Sequence, residues 1–188
     1  ISDVASAEIY SDGSLAPWDD SLEELSTGTS SAGLATDGHC LVMTGGYTSA
    51  DSSAEEVYTA ELYGDGTIAP WVAQSSLSSG RRYTAAAVVR GFVYVIGGYS
   101  SSGTSSTVYY AQLEPDCSIH SWSSTTSLPS GRYSHGVSVV DGPLYVVGGR
   151  SSYSASSTVH MAPPHIDATI SASTTEHPLP AALAPPGL

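Results

Sequence analysis

Three groups of residues in this 188-residue chain have types that can do chemistry. The first is histidine: His160, His165 and His177 crowd the C-terminal region, and three converging imidazoles can hold a transition metal. Their spacings of five and twelve residues match no standard ligand motif, so no metal site is expected. The second group is carboxylate. Glu23-Glu24 and Glu55-Glu56 are sequence neighbours, which in a strand point to opposite faces and make poor acid–base partners. Asp12-Gly13 and Asp65-Gly66 each offer one carboxylate where calcium takes about six to eight oxygens, and the dipeptide suits a tight hairpin turn better. The third group is tyrosine, twelve residues against a single phenylalanine. An exposed phenol can stack on a sugar face while donating a hydrogen bond. The chain has no G-x-S-x-G elbow, no H-E-x-x-H and no phosphate loop, so neither catalysis nor a cofactor is expected.

Where these groups end up depends on the elements that carry them, and those elements recur. "AEIYSDGSLAPW" (7–18) matches "AELYGDGTIAPW" (60–71) and, more loosely, "AQLEPDCSIHSW" (111–122). Trp18, Trp71 and Trp122 are therefore 53 and 51 residues apart, and the double glycines Gly45-Gly46, Gly97-Gly98 and Gly148-Gly149 follow at 52 and 51. Two independent markers with one period define a repeating unit. Within it, "RYTAAAVVRG" (82–91) is small and apolar, and "FVYVIGGY" (92–99) is a nearly continuous β-branched and aromatic run, as expected for inner strands covered on both faces. "TVYYAQLE" (107–114) alternates more clearly and leads across a short turn into "SIHSWSSTTSL" (118–128), the outer pair. A parallel α/β fold is excluded because its crossovers need helices, and only "SLEEL" (21–25) hints at one. Tyr47, Tyr99 and Tyr153 fall at or beyond the double glycines, at the mouth of the loop between second and third strands. Tyr58, Tyr94, Tyr109 and Tyr145 are expected to pack between sheets.

Composition narrows the setting. Charged residues make up 12 % of the chain, against about 25 % in ordinary soluble proteins, so hydroxyls must carry solubility. The net charge of −13 sets 18 acids against five arginines (Arg81, Arg82, Arg90, Arg132 and Arg150), which repels nucleic acid and anionic membranes alike. No apolar run approaches the roughly 20 residues that span a bilayer. The sequence contains no Lys and no Asn, so any glycan is O-linked. The runs 99–107 and 150–158 suit either such glycans or bare hydroxyl-rich loops. Cys40 and Cys117 lack metal-ligand spacing and admit either a disulfide or two separate small residues. A start at Ile1 rather than Met suits a processed or excised segment. The expected location is extracellular or cell-surface.

The repeat resembles the kelch family, of the secreted bacterial type: "SGR" before "YSH" (130–135), "LYVVGG" (144–149) and the later Trp122 fit its signature. The resemblance implies an all-β fold of β-propeller blades, each a four-stranded antiparallel sheet. Residues 5–22 supply an outer half-blade, 30–75, 82–128 and 133–175 three blades, and 177–188 a Pro/Ala-rich arm beyond a propeller region ending at 176. Kelch propellers typically close with about six or seven blades, so this open or incomplete propeller calls for a completing partner: copies of itself, or a second propeller half. By the same resemblance, Arg81, Arg82 and Arg132 stand at the start of innermost strands, where cations can meet a carboxylate or a sialic-acid-like group. The repeated Gly-Arg belongs to the blade signature, which favours a structural pairing; the doubled Arg82 is the best exception. Arg82 and Arg132, with Tyr47, Tyr99 and Tyr153, are the candidate ligand-binding residues. Copper radical oxidases share this fold, but their metal-and-crosslink set of Tyr, His and Cys finds no match here. The implied function is a non-catalytic extracellular structural subunit that assembles through blade edges into rings or filaments; the alternative is a module that binds carbohydrate or protein.

Overall fold

The run Phe92–Ile96 reads as apolar without alternation because both of its faces are covered. In the computed structural model, Val93 and Val95 are fully buried against one neighbouring sheet and Tyr94 and Ile96 against another. The structure describes residues 3–20, 22–50, 53–152, 154–163, 165, 169–172, 174–175 and 178–179. Its strands in chain order are β1 Gly33–Thr36, β2 Cys40–Thr44, β3 Val57–Glu61, β4 Val72–Ala73, β5 Ala85–Val89, β6 Phe92–Ile96, β7 Tyr99–Ser100, β8 Gly103–Thr104, β9 Val108–Gln112, β10 Ser123–Thr125, β11 Gly136–Val139, β12 Leu144–Val147, β13 Arg150–Ser151, β14 Ser154–Ala155, β15 Val159–Ala162 and β16 Thr174–Thr175. Among the described residues there is no helix, including at the "SLEEL" stretch.

Three four-stranded antiparallel sheets result, in the orders β1-β2-β3-β4, β5-β6-β9-β10 and β11-β12-β15-β16. Small hairpins, β7-β8 and β13-β14, extend the loops between the second and third strands of the latter two. Register repeats from blade to blade: Met43 faces Tyr58 in the first, and Val95 faces Tyr109 in the second. The innermost strands β1, β5 and β11 stand side by side, and a core fills each gap between blades. Cys40, Val42, Val57 and Leu77 of the first blade meet Val93, Val95, Leu113 and Ile119 of the second. Tyr94, Ile96, Val108 and Leu128 of the second meet Leu144, Val146 and Ile170 of the third. Each large apolar side chain among these contributes about 1.5–3 kcal/mol on burial, so the seams between blades are a main source of stability.

The two cysteines are joined, and the bond crosses a seam. Cys40 begins β2 of the first blade, and Cys117 sits in the outer turn of the second, inside their shared core. The Trp122 indole N–H reaches back to the Ser75 carbonyl at 2.8 Å, and Trp71 reaches the Glu23 carbonyl at 3.1 Å, so these two tryptophans tie their blades to the segments preceding them. Residues 3–20 form the outer hairpin alone, bridged at Ser6–Asp19 and Ile9–Leu15 as the second copy is at Leu62–Ile68. In this first copy Trp18 is 67 % exposed and Leu15 51 %, whereas Ile68, the counterpart of Leu15 in the second copy, is buried.

The acidic turns are turns. Oδ1 of Asp12, Asp65 and Asp116 accepts from the backbone N–H and hydroxyl of Ser14, Thr67 and Ser118 respectively. Those bonds hold all three carboxyls below the ordinary carboxylate range. The residue after each takes positive φ: Gly13, Gly66 and, in the third copy, Cys117. Leu77, Leu128 and Leu179 donate their N–H groups to Glu55, Ser106 and Ser157 carbonyls in the same register. The repeat thus runs on into the stretch set apart by composition as an arm; residues 177 and 180–188 lie outside the described residues.

Candidate functional site

The segment joining one blade to the next is extended, so successive side chains point to opposite sides. Arg81 turns into its own blade. Its guanidinium donates to the Gly97 carbonyl at 3.0 Å and lies 4.3 Å from the centroid of the Tyr109 ring. Arg132 repeats this one blade on, donating to the Gly148 carbonyl at 3.1 Å, to Thr158 Oγ1 at 2.9 Å and to His160 Nε2 at 2.8 Å. A guanidinium only donates, so Nε2 of His160 accepts and its proton sits on Nδ1, facing Thr175. Burial, then the charge of Arg132, lowers the His160 pKa and keeps the ring neutral for that role. Arg132 is 1 % exposed, so it is a blade clamp and reaches no ligand from solvent. Burial pulls the pKa of both guanidiniums down, with Tyr109 opposing the change at Arg81.

Arg82, the doubled arginine, turns the other way. Its backbone bridges Tyr99, and its guanidinium carbon lies 5.3 Å from the Tyr99 ring centroid and 5.6 Å from those of Tyr47 and Tyr83. Tyr133, one repeat later at the same position, meets Tyr99 edge-on at 5.5 Å and Tyr83 at 5.9 Å. Its hydroxyl donates to the Ser152 carbonyl at 3.1 Å. Together Arg82, Tyr83, Tyr99, Tyr133, Arg150 and the Ser102–Thr104 turn line a cavity of about 600 Å³ at the loop end of the second and third blades.

The cavity's frame is main chain. Tyr83 N–H donates to the Ser31 carbonyl at 2.8 Å and Ser134 N–H to the Tyr83 carbonyl at 2.9 Å, a relay that crosses all three blades. Ser31, Tyr83 and Ser134 all sit at positive φ, near 59°, 54° and 52°. The double glycines close the frame from the other side: both residues of each pair have positive φ, and a Cβ on Gly97 would stand 2.6 Å from the Arg132 carbonyl.

Of the candidate residues, the structure brings Arg82, Tyr47 and Tyr99 together, sends Arg132 elsewhere, and leaves Tyr153 outside the described residues. Arg150, Tyr83 and Tyr133 were not singled out by sequence. A signal for Arg150 exists: it follows its double glycine as Tyr47 and Tyr99 follow theirs. His160 is held by Arg132, His165 bonds Ser171 at 2.6 Å, and His177 lies outside the described residues. His39 stands beside the disulfide, whose sulfurs are bonded to each other. Among the described residues lining the cavity there is no carboxylate, histidine or cysteine.

The kelch motif matches over residues 131–161, the segment that carries Arg132, the third double glycine and His160. Residues 131–161 are a kelch repeat, and the sheets on either side follow the same blade pattern. Among kelch-type relatives the chain is 29 % identical to beta-scruin of Limulus polyphemus over 117 residues, covering 58 % of this chain and 12 % of that protein. It is 35 % identical to a putative F-box/kelch-repeat protein of Arabidopsis thaliana over 72 residues, covering 38 % of this chain and 28 % of that protein. The solved structure of YjhT superposes with a TM-score of 0.63 at 19 % identity, over 82 % of this chain and 54 % of that one, which speaks to the fold alone. This kelch chain thus spans about half of that structure and about an eighth to a quarter of these curated relatives. It is a kelch propeller domain of several blades, and the strand contacts run from first to second to third blade.

Proposed function

We propose that this kelch domain is a non-catalytic protein-recognition module of an extracellular protein, and that its loop-end cavity receives a carboxylate of an acidic partner. The observation that carries this is the pairing of Arg82 and Arg150, from adjacent blades, across a tyrosine-walled cavity of about 600 Å³ in a chain of net charge −13. Two guanidiniums give planar, charge-assisted donors for a carboxylate, and the phenol rings receive whatever apolar surface carries it. A cross-blade disulfide supports an oxidising compartment. The test is calorimetric titration with a short acidic peptide, free at its C-terminus or amidated, against wild type, Arg82→Gln and Arg150→Gln. Binding that weakens at least tenfold in each variant is expected, as befits loss of a charge-assisted pair. Equal affinity across all three proteins would sink the proposal, and tighter binding of a sugar acid than of the peptide would move the ligand class to carbohydrate.

A second reading rests on a separate observation, the 67 % exposure of Trp18 where Trp71 and Trp122 bond the preceding segment. With Leu34 62 % exposed on β1, this edge of the first blade suits assembly with a further blade, from another copy or another polypeptide. Sedimentation of the chain alone and of Trp18→Ser tests it: concentration-dependent association lost in the variant supports assembly, and a monomer at all concentrations removes self-association.

A further inference from the structure

The arginine clamps of the second and third blades have a counterpart in the first blade that the chain does not fill with an arginine. Backbone bonds fix the equivalence: Ser30, Arg82 and Tyr133 donate their N–H to Tyr47, Tyr99 and Arg150, so Thr29 holds the place of Arg81 and Arg132. Gly45, Gly97 and Gly148 likewise donate to Glu56, Thr107 and Thr158. In the second blade the guanidinium is met by the Gly97 carbonyl, the Thr107 carbonyl, the Ser79 carbonyl and the Tyr109 ring. In the third it is met by the Gly148 carbonyl, Thr158, Ser130 and His160. The matching residues of the first blade are Gly45, Glu56, Thr27 and Tyr58. All four, with Thr29, line a single cavity of about 110 Å³.

The wall differs from its two relatives in one respect that bears on charge. Where they present threonine, the first blade presents Glu56, and among the described residues its carboxylate has no hydrogen-bond or ion-pair partner. Thr29 Oγ1 turns away to the Tyr47 carbonyl at 3.4 Å. A cradle that twice holds a guanidinium with neutral acceptors and a ring is here built with a carboxylate and no cation of its own. We infer that this first-blade cavity is a binding site for a guanidinium group, delivered by an arginine of the polypeptide that covers this edge of the blade. Carbonyl and carboxylate oxygens accept its N–H groups, and the Tyr58 face takes its plane, as Tyr109 does for Arg81. Lysine fits less well, because an ammonium lacks the planar fork that these acceptors match. The site is separate from the Arg82–Arg150 cavity, takes the opposite charge, and stands whether or not that cavity binds an anion.

Amide NMR titration of the chain with methylguanidinium, methylammonium and sodium chlorides at equal ionic strength tests it. Saturable shifts at Gly45, Glu56 and Tyr58 with methylguanidinium alone are expected, while Gly97 and Gly148, whose clamps are filled from within, stay still. Glu56→Gln should weaken the response at least fivefold, since it exchanges a charged acceptor for a neutral one. Thr29→Arg supplies the group in cis and should abolish it. An arginine peptide that binds more tightly than methylguanidinium supports the polypeptide source, and equal affinity would overturn that source. No saturable shift, an equal response to methylammonium, or an unchanged response in Glu56→Gln would overturn the inference, the last deciding even if Thr29→Arg fails to fold.

Discussion

His135 makes the fold's stability depend on pH in a way that a single substitution can erase. It is 8 % exposed, wedged where a Cβ on Gly149 would lie 2.7 Å from its own Cβ, and neither ring nitrogen has a well-formed hydrogen bond. Burial first, and the charge of Arg132 second, lower its pKa from 6.5 to about 4, with only a weak opposing contact to the Ile96 carbonyl. The unfolded chain therefore binds a proton at a pH where the folded chain does not. Stability from the neutral ring is complete above pH 6.5, falls as the pH drops towards 4, and is flat below. At about 1.36 kcal/mol per tenfold change in proton affinity the whole effect is about 3.4 kcal/mol, of which about 2 kcal/mol is gone by pH 5. Urea unfolding of wild type and His135→Thr between pH 7 and 4 reads it directly; threonine already occupies the equivalent place at Thr84. Wild type should lose about 3 kcal/mol more than the variant across that range. Asp12, Asp65 and Asp116, held below 3.8, act in a lower pH window and in both proteins alike. Parallel pH profiles for the two proteins would refute the reasoning.

Two further predictions concern the seams between blades. The disulfide closes a separation of 77 residues, so the double variant Cys40→Ala/Cys117→Ala should lose about 4.5 kcal/mol by the chain-entropy relation. Calorimetry should then show a Tm lower by roughly 10–18 °C, and an unchanged Tm would mean that the core alone holds this seam. Gly80→Ala should cost about 2–3 kcal/mol in chemical denaturation, because its Cβ would overlap the Ser53 carbonyl of the preceding blade. Gly64→Ala, where nothing lies within 4 Å, is the matched control and should be near neutral.

The repeat was legible because its markers answer to local geometry. Each double glycine needs positive φ at both residues, and each Gly-Arg places a bare Cα against one blade and a guanidinium inside the next. Such requirements recur wherever the geometry recurs, and so they appear as period. What stayed hidden depends on blades meeting. Cys40 and Cys117 are distant in sequence and occupy non-equivalent places in their repeats, so only stacking makes them neighbours. Arg150 was overlooked because it replaces a tyrosine at its repeat position, and a change of residue type breaks the very pattern by which its partners were found. Arg132 looked like Arg82 in sequence, yet alternation along an extended segment sends one inward and the other to the cavity.

The relay of backbone bonds through Ser31, Tyr83 and Ser134 is made by main chain alone, and the bridging positions beside it hold serine, arginine and tyrosine on one side and tyrosine, tyrosine and arginine on the other. One backbone bridge thus carries three different residue pairs, which makes this face a natural starting point for grafting new side chains onto a fixed frame.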